Sequence, residues 1–581
     1  MDVGPFSVPS TDLGAVADDP GPFRSNGGDR VGVPGSDERD LIAAFFDGED
    51  VESEAAALEG AATAEGVDAP ASASITRSEA LATAPAMART LWADLLAVRT
   101  AHVDSRKHEI AHAALAVAIL WFCWLLVPLV TKDYRNFGTG HFDTGIFDQA
   151  AYLLAHGEQF MSGRGLNVFG HHANFGLYLF APFYWIGWGS PALLDSAMVV
   201  SLGTAAVPVY LIARDRTESV SVGLVVAVAY LLHFSVSSTI NEGFHPESMA
   251  VLPLFAAFLF ADRGQWKRFA VAVVYAVCWK EDIALFVAML GVYLFFAKDR
   301  RAGLITAAAG GAYFVAVTSV LLPAFAASGA TFYAGDYGVL GDSGLEVAVN
   351  ATLFERDETF RLLENNGARD YFFDLGQPYG WLSYLSPLWM LLALPQLAAN
   401  LLNIHGLAAN PFAHYVSVPV VALTLGLIAT FANRKHALIR IGMAVWLVVF
   451  AFNTSTDRGY MPYSRNYETG VWQLYETDQT LRLRGAVELI PDDAAVVGTY
   501  NIVPRLTHRN EVYMWPNPYR REYWGIGDAP ALPDPSAIEY LVLDRAAMDG
   551  ASEAMAVDVA ATWGFASIYE AGPVIVYQRT P

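Results

Sequence analysis

Cysteine is almost missing from this sequence. Cys123 and Cys278 are the only two in 581 residues, and both lie inside apolar runs. They exclude a disulfide framework, a Cys-x-x-Cys pair and a thiolate zinc site, and they read as small buried apolar residues. Charge is scarce as well: 16% of residues are charged and 54% are hydrophobic. That balance excludes a water-soluble chain of this length, because the apolar residues gather in runs long enough to span a membrane. No secretory signal stands before the first run, "AHAALAVAILWFCWLLVPLV" at 111–130, so this run is expected to act as the first membrane anchor.

The charge that exists is unevenly placed. Of a net −23, residues 1–76 carry 16 acidic groups and 3 arginines, which is 3 − 16 = −13. This stretch is rich in Gly, Pro, Ala and Asp and has no sustained periodicity. It is expected to be a disordered acidic cytoplasmic tail, and its sign argues against nucleic acid as a partner. Residues 77–109 are expected to form a juxtamembrane helical segment.

Five basic clusters punctuate the apolar runs: Arg99/Arg106/Lys107, Arg214/Arg216, Arg263/Lys267/Arg268, Lys298/Arg300/Arg301 and Arg434/Lys435/Arg440. Placing all five in the cytoplasm pairs the spans between them. Spans then fall at 110–131, 191–213, 218–239, 247–262, 266–280, 283–297, 302–324, 416–432 and 437–453, with 380–404 read as a hairpin of two short spans around Pro387 and Pro395. The expected fold class is a polytopic α-helical membrane protein of about eleven spans, with the N-terminus cytoplasmic. Residues 110–453 form the membrane domain, and 454–581 form an extracytoplasmic domain. In the latter, helical patterns at 470–489 and 550–563 alternate with strand-like runs at 494–500, 511–515, 538–544 and 573–578, which predicts a small α/β fold. It has neither a GxGxxG fingerprint nor a P-loop.

Polar residues recur at one depth of this topology. The first outer loop reads "NFGTGHFDTGIFDQAAYLLAHG" (136–157) and contains Asp143 and Asp148. Asp143 follows Gly138 and Gly140 where an amphipathic helix begins, a position suited to a helix N-cap. The helix itself is expected to lie along the membrane surface, with Asp148 solvated or facing a partner. "GHHANFG" (170–176) holds His172, "NEGFHPES" (241–248) holds Glu242 and His245, and "WKEDI" (279–283) holds Lys280, Glu281 and Asp282. Ionisable groups near membrane spans are costly, so they line polar cavities or pair together. Three simpler readings compete: a helix start at His245-Pro246-Glu247, a self-neutralising turn at 280–282, and interfacial histidines at 171–172. The spacings Glu242-x-x-His245 and His245-x-Glu247 also admit a metal site.

In that order, "FDTGIFDQAAYLLAHG", His172 before the run ending at Pro182, "NEGFHPES", "WKEDIALFVAMLGVYLFF" and "YNIVPRLTHRNEVYMWP" resemble the landmarks of the prokaryotic membrane-protein family named domain of unknown function 2079. The resemblance covers about 134–520. It departs at 172–175, where the family often has His-Phe-Ser-Pro, and at 504–506, where it often has Pro-His-Leu. The architecture is similar to that of type C glycosyltransferases, which take sugar from a polyprenyl-phosphate carrier outside the cytoplasm. The resemblance implies a catalytic acid in the first outer loop, Asp143 with Asp148 as its alternate. The remaining rim residues, His172, Glu242, His245, Lys280, Glu281 and Asp282, would bind the donor. It further implies a polyprenyl-phosphate sugar donor, membrane lipid around the chain, and an envelope glycan, glycolipid or protein as acceptor. No cofactor is fixed by the sequence, although the chemistry would accept Mg²⁺ or Mn²⁺ beside the departing phosphate. Two other classes fit the composition: a transporter or flippase, which would place polar groups near the bilayer midplane, and a non-catalytic scaffold, which would lack a convergent cavity.

Overall fold

Among the described residues, six helices are long and apolar enough to cross a membrane: Arg106–Arg135, Pro191–Thr217, Val220–Glu242, Arg300–Phe325, His414–Ala432 and Ala437–Arg458. The computed structural model describes residues 77–326, 335–523 and 533–580; the acidic tail at 1–76 lies outside them. The first of the six is the end of a single helix running Arg77–Arg135, which contains the juxtamembrane helical segment expected at 77–109. The expected spans at 247–262, 266–280 and 283–297 appear as shorter helices, Val251–Asp262, Trp266–Val277 and Ile283–Ala297. At 1.5 Å per residue, helices of 12 to 15 residues reach only about 18–22 Å, short of a bilayer core of about 30 Å. Residues 380–404 do not form a hairpin of spans. Prolines break the run into 3₁₀ turns, Leu382–Leu385 and Pro387–Ala393, followed by one short helix, Leu394–Leu402.

Burial separates the helices by position. His414–Ala432 is enclosed almost entirely, with Val421, Leu423, Leu427 and Phe431 in the core. By contrast, Arg300–Phe325 exposes Leu304, Ile305 and Val315, and Ala437–Arg458 exposes Leu438, Val445 and Phe452. Such apolar outward faces are unfavourable in water and are what a lipid-facing helix presents. Small residues let neighbours close up. A Cβ on Gly303 would sit 2.2 Å from the Phe295 backbone nitrogen, and one on Gly291 would sit 2.2 Å from that of Ala307. The helices Ile283–Ala297 and Arg300–Ala316 therefore pack backbone to backbone.

A short antiparallel ribbon, β1 (Phe160–Met161) and β2 (Leu166–Asn167), closes the first loop. The remaining strands form one sheet: β3 (Val496–Gly498), β4 (Val512–Met514), β5 (Tyr540–Asp544), β6 (Phe565–Ala571) and β7 (Val574–Arg579), in the order β4-β3-β5-β7-β6. β3 runs parallel to both β4 and β5, while β7 is antiparallel to β5 and β6. Alternate residues face opposite sides. Val496, Val542 and Val576 pack beneath Leu483 and Ala486 of the helix Asp478–Val487. Val497, Leu541 and Ile575 pack against Ala556, Val559 and Ala560 of the helix Gly550–Thr562. The first of these two cores also takes in Phe137 from the first loop, so the sheet is mounted on the end of the helical bundle through its own hydrophobic core.

Candidate functional site

The end of the bundle that carries the sheet is where the polar segments meet. The helix Ile146–Ala155 is preceded by a wide turn, His141–Gly145, and Asp143 stands inside that turn with φ +70° and ψ −106°. A non-glycine residue rarely adopts this conformation, and it persists only where its surroundings enforce it. The enforcement is visible on both sides of Asp143. The His141 N–H donates to the Tyr500 carbonyl at 3.1 Å. Thr144 is buried; its hydroxyl donates to Asp195 Oδ1 at 3.0 Å and accepts from the Phe244 N–H at 2.7 Å. Gly140 leaves room for the Tyr500 ring, whose hydroxyl would lie 2.4 Å from a Cβ there. Asp143 does not cap the helix: Gly145 occupies the N-cap and no side-chain cap bond forms.

The clamped turn aims the Asp143 carboxylate at His245, Oδ1 to Nε2 3.0 Å. The Asp143 side chain remains one-third exposed, at 33%, while that of His245 is 3% exposed, so the pair faces outward from the carboxylate side. His245 occupies the N-cap of the turn Pro246–Met249, as the Pro at the first helical position predicts. Its other nitrogen, Nδ1, lies 2.9 Å from the Gly243 carbonyl. Burial works against a charge on His245, but Asp143, Glu242 and Glu247 around it outweigh that cost and raise its pKa to about 9. Burial also works against the Asp143 carboxylate, and the facing His245 reverses this and holds it below the ordinary carboxylate value.

His414, at the start of an enclosed span, stacks on His245 with ring centroids 3.4 Å apart and planes at 13°. Its Nδ1 faces Glu242 Oε2 at 3.1 Å, and its Nε2 lies 3.5 Å from Glu247 Oε1. Its backbone N–H donates to the same Glu242 oxygen at 2.6 Å. Glu247 is in turn held by Lys280, Nζ to Oε1 2.9 Å, and Lys280 is 3.5 Å from Asp282. The next residue, Glu281, accepts from His172 Nδ1 at 2.7 Å and from the Ala173 N–H at 3.1 Å. Burial would raise the Glu281 carboxyl, and the pairing with His172 and Lys280 brings it down to about 2.

Asp143, Glu242, His245 and Lys280 therefore belong to one chain of contacts, continued through Glu247 and His414, and the backbone turn 280–282 carries it on to Glu281 and His172. Asp148 is not part of that chain, and it is not solvated. It is fully buried where the sheet domain docks: Tyr184 donates to Oδ1 at 2.7 Å, Thr507 donates to Oδ2, and His508 Nε2 lies 3.1 Å from Oδ2. Its helix is likewise buried between bundle and sheet rather than lying on a membrane surface. The sequence reading also missed His414. Its one signal was position, an imidazole at the mouth of a long apolar run.

A second feature lies at the same end. A cavity of about 500 Å³ is lined by Lys132, Arg135, Asn136, Leu474, Glu476, Arg484 and Arg505. Glu476 is paired with Arg484 at 2.5 Å, and Arg505 lies over the Tyr134 ring at 4.5 Å. Four cations against one carboxylate make it an anion-attracting pocket. Pro504, beside Arg505, packs against the Asp143 turn: a Cβ on Gly145 would lie 3.3 Å from its ring.

Among protein families, the one described as predicted membrane protein (DUF2079) matches residues 133–553, more than half of the chain and every residue of the Asp143 cluster. No curated protein matches the chain.

Proposed function

We propose that this chain, which belongs to the predicted membrane protein family DUF2079, is an integral-membrane glycosyltransferase that moves sugar from a polyprenyl-phosphate carrier to an envelope acceptor at the extracytoplasmic face. The observation that carries the reading is Asp143: a carboxylate held in a strained backbone turn, ion-paired on one oxygen and open to solvent, where polar segments from four parts of the chain meet. Strain of this kind collects at functional sites.

The reaction asks little of the protein. The acceptor hydroxyl oxygen attacks the anomeric carbon, the bond from that carbon to the phosphate oxygen breaks, and the phosphate leaves with the electron pair. The acceptor proton passes to a carboxylate. We assign that role to Asp143, whose Oδ1 is paired with His245 and whose side chain is one-third exposed, which supports access by an acceptor. The basic cavity offers Lys132, Arg135 and Arg505 to the donor phosphate. The lipid-facing helices around the site leave the polyprenyl tail in hydrocarbon.

A transfer assay with labelled polyprenyl-phosphate sugars, in membranes carrying either the wild type or Asp143→Asn, tests this. Asp143→Asn keeps the shape of the side chain but cannot accept the proton. Transfer is expected to fall by about 10²-fold or more at unchanged protein level, the usual scale for loss of a general base. Full transfer by a well-folded Asp143→Asn protein would end the assignment.

A further inference from the structure

We infer that Glu242, His245 and His414 form a binding site for one divalent transition-metal cation, of the Mn²⁺–Zn²⁺ class rather than Mg²⁺ or Ca²⁺. Each offers one ligand atom, and these atoms all lie within 4.8 Å of one another. The site stands on its own geometry; its part in sugar transfer rests on the function proposed above.

Three features distinguish it from a chance grouping of acids and histidines. The first is the state of the nitrogens. His245 Nε2 and His414 Nδ1 are buried and lie 3.0 and 3.1 Å from carboxylate oxygens, yet neither makes a hydrogen bond of acceptable geometry. For His414 that carboxylate is Glu242, a fellow ligand. A nitrogen at that distance but off the hydrogen-bond axis is what imidazole and carboxylate ligands of a common ion show, because both point at the ion rather than at each other. His245 Nε2 is a second buried nitrogen left without a hydrogen bond.

The second is the outer shell. The Gly243 carbonyl can only accept, so its contact with His245 Nδ1 places the hydrogen there and turns the Nε2 lone pair toward the cluster. His414 has the Glu247 carboxylate on its far nitrogen, and Glu247 is fixed by Lys280. Carbonyl and carboxylate partners on the distal nitrogens are the arrangement that orients metal-bound histidines.

The third is charge. Asp143, Glu242 and Glu247 bring three negative charges and Lys280 one positive. A dication is favoured in this predominantly negative surrounding. Two imidazoles with one carboxylate select Mn²⁺, Fe²⁺, Co²⁺ or Zn²⁺. Mg²⁺ and Ca²⁺ prefer shells made of oxygen alone. The exposed Asp143 carboxylate beside the site leaves one side open, as catalytic metal sites do. Bound there, the ion would draw negative charge of the reacting substrate toward Asp143.

The test is metal binding, read without turnover. Detergent-purified full-length protein is stripped with chelator, and Zn²⁺, Mn²⁺, Co²⁺ and Mg²⁺ are each titrated and followed by elemental analysis after gel filtration. Visible absorption of the Co²⁺ form is recorded as well. The expected result is one equivalent of Zn²⁺ or Co²⁺, not displaced by excess Mg²⁺, with affinity about 10-fold or more weaker in His414→Gln and in Glu242→Gln. Wild-type stoichiometry and affinity in both variants, or competition by Mg²⁺ at equal concentration, would overturn the site. So would no retained metal in a protein whose apo melting curve shows it folded. Because each variant removes a different ligand, misfolding of one leaves the other as the measurement. Intact metal binding with no sugar transfer would count against the proposed reaction alone.

Discussion

Asp143 shows how a residue's chemistry and its backbone can pull in opposite directions. An aspartate at φ +70° and ψ −106° carries strain of about 1–3 kcal/mol that glycine would not. Asp143→Gly relieves that strain but adds about 0.5–1 kcal/mol of backbone entropy cost, so thermal stability is expected to stay close to wild type, while transfer activity is lost. A melting temperature well below wild type would show that the His245 pairing outweighs the strain and that the residue is structural. Individual acids and imidazoles of the cluster were legible because they interrupt apolar sequence: "NEGFHPES" and "WKEDI" stand out against their neighbours. The role of Asp143 was only half legible. Gly138 and Gly140 marked a turn, and a helix did begin close by, but the cap fell to Gly145 because the C-terminal sheet domain pins the turn from outside. His414 was not legible, since its partners Glu242, His245 and Glu247 are far away in sequence and no spacing rule links them.

At the level of elements, the site depends on how one loop is tied to two helices. Thr144 is the tie. Its hydroxyl bonds Asp195 on the helix Pro191–Thr204 and the backbone N–H of Phe244, where the helix Phe234–Glu242 ends. Thr144→Val keeps the bulk and removes both bonds, leaving a buried N–H and a buried carboxyl oxygen each short of a partner. Buried groups left this way cost about 1–3 kcal/mol each, so the variant is expected to melt several degrees below wild type in detergent, whereas Thr144→Ser keeps the hydroxyl, both bonds and most of the stability. Equal melting of the two would mean the loop is held by something else. The long helices were legible from hydropathy alone. The short ones were legible as apolar runs, which the chain breaks at Gly243 and at Lys280 and its neighbours. The 380–404 stretch misled because its composition is apolar while its prolines cut it into 3₁₀ turns that pack on the enclosed span His414–Ala432.

Across the whole molecule, among the described residues, the buried acid, histidine and lysine cluster lies at the end that carries the sheet. A separate ion-pair network joins Arg214, Asp215, Arg216, Asp262, Arg263 and Lys298 elsewhere, and the central span is lined with Val, Leu and Ala apart from a few hydroxyls such as Thr424 and Thr430. That distribution favours chemistry at a rim over transport through the middle. The rim is completed by the sheet domain, whose strands were legible at 494–500, 511–515, 538–544 and 573–578, although β6 was not, its exposed Glu570 and Ser567 hiding the alternation. Docking of the domain runs through Asp148, which the sequence alone presented as a surface acid. Burial works against a charged His508, and Asp148 reverses this and raises its pKa above the ordinary value; Arg509 opposes the charge, Asp492 supports it, and the Tyr152 and Tyr184 rings pack on it. A histidine whose folded pKa is raised contributes stability that is fully present below its unfolded value and is lost as pH rises through the folded one. The contact between the first loop and the sheet domain is thus expected to loosen with rising pH above the ordinary histidine range, by a modest amount because His508 is 42% exposed. Hydrogen exchange at the Val512 amide, which donates to the Ser162 hydroxyl at 2.9 Å, reports the contact directly. Exchange there should quicken with pH beyond its intrinsic base dependence in the wild type and lose that excess in His508→Gln. An excess that survives His508→Gln would place the pH-sensitive group elsewhere in the interface.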